Sequence, residues 1–319
     1  MKKYSMLSIL VVLWVAIYMT NTVFATGTNA FDFENTLIPV DEIFRGGPGK
    51  DSIPAIDDIV FVAAEEIRFL NAKSSIIGIS HNELSKAYPI NILNGHEIVN
   101  DQFNGTPVII IFCPLCGSGM AFLSTVNSNA LTFGVSGILY NSDVLLYDRQ
   151  TKSLWSQLMT KAIRGSLKGK SLTGIPVRHT TWEDWQAKYP DTLVLTTKTG
   201  FDRDYKSSPY VDYITSPQTM FPISSMSRRY HPKEEVLGLE IDGQFKVYPF
   251  IELEKSPAEF MDTVKGRMLT VRYDSKLRSV AVFDQQGKQL VSVRTFWFAW
   301  YAFHSETDVY VTRYYIAWG

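Results

Sequence analysis

The chain repeats itself at a nearly constant spacing, and that repeat limits its architecture more than any other feature. Ile77-Gly78-Ile79 returns as Leu237-Gly238-Leu239, and Lys86-Ala87-Tyr88-Pro89 returns as Lys246-Val247-Tyr248-Pro249, both 160 residues later. After one inserted residue the match continues at a spacing of 161, where Gly105 meets Gly266, Val108 meets Leu269, Phe112 meets Tyr273, Ser118 meets Ser279 and Phe122 meets Phe283. Each copy reads as strand, tight turn, strand ending in Tyr-Pro, short connection and hairpin. A recurring unit has the same apolar face to bury twice, so two related β-rich units are expected.

Local signals agree. Asn104-Gly105 between Glu97–Asn100 and Pro107–Cys113 is a strong hairpin turn. His81-Asn82-Glu83 separates Ile76–Ser80 from Lys86–Ile90, and Leu131–Val135 and Val144–Tyr147 are further short strands. Helical periods are few; Thr181–Lys188, with Trp182 and Trp185 on one face, is the candidate. The fold class is therefore mainly β or α+β. The repeat units span about 60–155 and 225–305, and residues 156–224 connect or embellish them. An irregular, Gly- and Pro-rich lead-in covers 26–59, because those residues break both regular periods. Residues 306–319 form a C-terminal tail.

The first residues read as a leader. Lys2 and Lys3 precede an apolar run from Met6 to Met19, and Val23-Phe24-Ala25 offers small residues where a peptidase would cut, after Ala25. Export to a periplasmic or extracellular space is expected, with membrane contact only if the leader stays uncleaved. Lys plus Arg total 31 against 32 for Asp plus Glu, so no net field draws the chain to nucleic acid.

Only two cysteines occur, Cys113 and Cys116, in Phe112-Cys113-Pro114-Leu115-Cys116-Gly117-Ser118-Gly119. In the second copy the same turn reads Tyr273-Asp274-Ser275-Lys276-Leu277-Arg278, an ordinary polar turn. The hairpin does not need its cysteines, which leaves chemistry as their reason. Three chemistries fit. A structural disulfide would gain little, since the loop it closes is so short. A redox dithiol needs a lowered thiol pKa. A soft-metal site would favour copper(I) or zinc on paired thiolates. A thioredoxin fold is not expected, because Gly117-Ser118-Gly119 follows where that fold needs a helix. The thiolate must find positive potential elsewhere, or a metal. Zinc wants four ligands, and His96 is the best candidate for a third, entering the strand that pairs with Pro107–Cys113. Its plainer reading is a surface or capping histidine.

A second polar cluster lies at Asn141, Asp143, Asp148, Arg149, Gln150, Ser156 and Gln157. These residues either bind a ligand and orient the thiols, or fix strand crossings as a buried network. No Gly-rich phosphate loop, serine nucleophile elbow or His-Glu-x-x-His motif is present.

Taken together, Tyr88-Pro89, the His96–Asp101 run, Gly105–Val108, Cys113–Ser118, Phe133–Gly137, Tyr147–Thr151 and Leu154–Gln157 resemble the exported bacterial family DUF3179, a domain of unknown function. The resemblance runs from about Arg45 to His304. It implies export and marks His96, Cys113, Cys116 and Tyr147–Gln157 as signature positions, without implying an activity. Members often keep Phe-His-Pro near the end, whereas Ser305 follows His304 here. The leading expectation is an exported protein whose dithiol exchanges disulfides or binds copper or zinc. The alternative is a ligand-binding or scaffold protein in which the pair is a structural disulfide.

Overall fold

The computed structural model describes residues 31–47 and 49–312. The expected leader at 1–25 and residues 313–319 of the expected tail lie outside them. Every sheet of the described residues lies within Phe33–Gly319. Strand accounts for 41% and helix for 12%, and the small sheets form a five-bladed, propeller-like ring. No helix among the described residues is long and apolar enough to cross a membrane.

Two-residue turns set the hairpins. Asn82-Glu83, Asn104-Gly105, Asp242-Gly243 and Lys265-Gly266 all take positive φ at both positions. That is the turn whose twist matches antiparallel strands, and Asn, Asp and Gly tolerate it best. One five-stranded sheet runs Arg178–Thr181, Ser75–His81, Leu84–Pro89, Leu193–Leu195 and Phe61–Ala63. Its counterpart runs Val293–Phe296, Glu235–Ile241, Gln244–Pro249 and Asp308–Val309. In both, a short helix joins an antiparallel edge strand to a strand that returns parallel to the hairpin.

The correspondence reaches side chains. The ring of Trp185 covers Gly78 so closely that a Cβ there would lie 2.2 Å from it, and Trp300 covers Gly238 at 2.3 Å. Trp185 donates to Thr192 at 2.9 Å and Trp300 to Thr307 at 3.0 Å. Tyr88 and Lys86 bond Asp101, as Tyr248 and Lys246 bond Asp262. Glycine is required at 78 and 238 because the indole occupies the volume of any side chain.

The second element of each repeat is a hairpin sheet. One contains Ile98–Phe103, Thr106–Cys113 and Ser118–Leu123, extended by Thr173–Ile175. The other contains Glu259–Val264, Arg267–Asp274 and Ser279–Phe283.

Phe133–Arg164 belongs to a separate sheet of Ile43–Arg45, Phe133–Tyr140, Asp143–Asp148, Leu154–Ser156 and Lys161–Arg164. That sheet is inserted within the first repeat. Residues 178–195, expected in the connector, complete the first repeat's own sheet. Their counterpart at 293–309 follows its hairpin without such an insertion, so the fixed offset breaks there and hides the match. The lead-in is also partly ordered: Ile43–Arg45 pairs with Ile138–Tyr140, and Ile56 bridges Val99.

Candidate functional site

Thr106–Cys113 is a buried apolar strand that runs between two neighbours and delivers Cys113 to its end. Cys113 stands opposite Ser118, and Gly117 closes the turn with φ of 62°. A Cβ at Gly117 would meet the Phe296 ring at 3.0 Å, so glycine serves both the turn and the close approach. The second repeat's edge strand holds the turn in place: the Phe296 N–H and the Thr295 hydroxyl both donate to the Cys116 carbonyl at 2.8 Å.

Both cysteines are free and buried, within the largest apolar cluster of the molecule. The Cys116 thiol points at the Ser142 carbonyl at 3.3 Å, with Cys113 at 3.9 Å from the same oxygen. Asp143 follows directly. Ligand atoms of Cys113, Cys116 and Asp143 all lie within 4.8 Å of one another. The Leu158 N–H donates to Asp143 Oδ2 at 3.1 Å, while Oδ1 has no conventional hydrogen-bond partner among the described residues.

His96 is not part of this trio. Its Nδ1 lies 2.7 Å from the Pro54 carbonyl and its Nε2 lies 2.6 Å from the Tyr205 hydroxyl. A carbonyl only accepts, so Nδ1 carries the proton and Nε2 accepts from Tyr205. The expected Cys113, Cys116 and His96 ligand set is therefore corrected: both imidazole nitrogens are engaged, and a carboxyl stands where the imidazole was sought. The reason is local. Glu97 takes φ of 61°, which turns the chain between the histidine and its strand.

The remaining polar residues divide. Gln157 and Ser118 exchange bonds of 3.1 and 3.2 Å, bracing the strand opposite Cys113. Asn141 accepts from the Ser224 N–H at 2.6 Å and Ser142 donates to the Phe221 carbonyl at 2.8 Å, fastening the 216–224 segment. Asp148 binds Thr151 and the Trp155 indole, Gln150 binds Thr132, Ser156 accepts from Met159, and Arg149 pairs with Asp57. These last residues hold strand connections and stand apart from the sulfurs. Asp204, in the polar turn Asp202-Arg203-Asp204, accepts from the Lys206 N–H and the Ser207 hydroxyl as a turn cap.

Burial sets the electrostatics. It raises the Cys116 thiol pKa well above its usual value, with Cys113 and then Asp143 adding to the effect. Burial lifts Asp143 to about 7, against the opposing pull of the Leu158 and Val144 N–H groups and the two thiols. Glu97, buried beside it, rises to about 8 through desolvation and then the charge of Asp143. Sequence reasoning missed Glu97 and Lys233. The Lys233 ammonium donates to the Gln218 carbonyl at 2.7 Å, and burial lowers it to about 8 with Cys116 pulling the other way. Lys233 lies far from the cysteines in sequence, and no motif signals it.

One pH effect follows. Glu97 binds its proton more tightly in the folded chain than in the unfolded one, where its value is near 4.5. Its contribution to stability is present at low pH and is lost as pH rises from there through about 8. Glu97→Gln should remove a slope of about 1.4 kcal/mol per pH unit across that window in the metal-free chain. Urea unfolding of both proteins at several pH values checks this, and parallel profiles would refute it.

The comparisons decide the family. A family model described as "Protein of unknown function (DUF3179)" matches residues 50–307, most of the chain. The chain belongs to the DUF3179 family. No curated protein and no solved structure matched it. The DUF3179 match covers the dithiol turn and the strands from Phe61–Ala63 to Val293–Phe296, and leaves out the edge strands Ile43–Arg45 and Asp308–Val309.

Proposed function

We propose that this DUF3179 protein is an exported soft-metal carrier that binds copper(I) through Cys113 and Cys116, with Asp143 as a third, weaker donor. The carrying observation is the convergence of two thiols and one incompletely bonded carboxyl within 4.8 Å of one another. Asp143 Oδ1 meets no conventional hydrogen-bond donor among the described residues, and its neighbours include the two thiols, whose protons a cation would replace.

Three considerations favour copper(I). Soft thiolates prefer it, and two of them suffice. Zinc takes four ligands in closed sites, and this cluster supplies three. Disulfide exchange requires an incoming sulfur to reach a thiolate, yet the two cysteines are 1% and 0% exposed. Burial also keeps the Cys116 thiol protonated, which opposes redox nucleophilicity and is overcome when a cation displaces the proton. The leader-like order of Lys2, Lys3, the apolar run Met6 to Met19 and Val23-Phe24-Ala25 supports export.

The test is anaerobic loading of the purified chain with copper(I) under competition from a chromophoric chelator. One equivalent should bind. Asp143→Asn should weaken binding by about 10- to 100-fold, as expected of a supporting group. No binding above a chain lacking both thiols would dismiss the carrier reading.

A further inference from the structure

A cleft of about 960 Å³ opens on the solvent side of the cysteine turn, lined by Phe112, Pro114 and Gly117 from that turn. Residues of both repeats form its walls, Thr180 and Thr181 from the first and Glu235, Arg294 and Phe296 from the second. Its size falls in the range of small-molecule sites.

Its charge is unbalanced. Lys73, Lys233, Lys276, Arg278 and Arg294 line it against three carboxylates, Glu183, Glu234 and Glu235. Glu235 is already shared by Arg278 at 2.9 Å and by Arg294. Lys233 is the unusual member. It is 6% exposed, yet it has no carboxylate partner among the described residues. Its ammonium has one good acceptor, the Gln218 carbonyl at 2.7 Å, and a long contact to Ser216 at 3.5 Å, and it sits 3.7 Å over the Tyr213 ring. A buried cation normally has an anion to meet. The apolar wall of Phe112, Pro114, Ile214 and Phe296 suits a ligand with an apolar body as well as a charge.

We infer that this cleft binds a small organic carboxylate, its charged end at Lys233 and its apolar body along the outer face of the cysteine turn. The inference does not rest on the metal reading: Cys116 acts on the Lys233 charge, but a chain that binds no copper would still present the cleft.

Octanoate is the probe, titrated calorimetrically into the purified chain, with octylammonium and inorganic phosphate as comparators. Octanoate should bind one-to-one, and neither comparator should match it. Lys233→Gln should weaken octanoate by about tenfold or more, the effect of one charge-assisted contact. Lys276→Glu alters an exposed position, so it keeps the test alive if the Lys233 variant does not fold, and it too should weaken binding. Absence of octanoate binding, equal binding of octylammonium or phosphate, or unchanged affinity in folded variants would overturn the proposal.

Discussion

Cys116→Ser should lower copper(I) affinity by more than about a hundredfold while leaving the fold intact. Supporting groups around a metal typically change affinity 10- to 100-fold, and loss of one of two soft donors must exceed that. A serine hydroxyl stays protonated and is a hard oxygen, so it cannot replace a thiolate. The fold should survive, because the turn is held through the Cys116 backbone carbonyl, by Phe296 and Thr295, and not through its sulfur. The second repeat closes the equivalent hairpin with Asp274–Arg278 and no cysteine at all. Chelator competition reads the affinity, and thermal melting reads the fold. Retained affinity would remove Cys116 from the site.

Trp185→Ala and Trp300→Ala should each destabilise the chain by about 3–5 kcal/mol, the usual cost of deleting a buried indole. The two rings are 1% and 3% exposed, each lies on a glycine of its own sheet, and each donates to a threonine seven residues on. Removing either leaves a cavity over Gly78 or Gly238 that the flat glycine backbone cannot fill. A melting point lower by roughly 6–20 °C is expected in both variants. A cost below about 1 kcal/mol in one of them would mean that the two sheets are not stabilised alike.

The hairpins and their turns were legible because their signals are local. Asn104-Gly105 specifies register through a backbone conformation that few residues tolerate, and Pro89 and Pro249 end their strands where the helices begin. The helix expected over Thr181–Lys188 forms as Trp182–Lys188, and Thr181 lies just outside it as the cap, its side chain accepting the Asp184 N–H. The helix over Trp297–Phe303 was not legible as a partner of Trp182–Lys188. The inserted sheet breaks the constant offset, and Trp297-Phe298-Ala299-Trp300-Tyr301-Ala302-Phe303 is apolar all round, so it shows no amphipathic period.

The site was half legible. The cysteine turn stood out because the second repeat lacks it, and Asp143 was visible as one of several polar residues. Nothing local separated Asp143 from Asp148, which are both buried at the two ends of one strand. Which end meets the sulfurs depends on how the inserted sheet packs, a tertiary fact. His96 was misplaced for the same reason, since one left-handed residue at Glu97 directs it to Pro54 and Tyr205.

X-ray absorption at the copper K-edge of the loaded chain tests the central claim most directly. The account predicts a first shell dominated by two sulfur scatterers that disappears in the Cys113→Ser, Cys116→Ser double variant. A shell of nitrogen and oxygen only, or one unchanged in that variant, would contradict it.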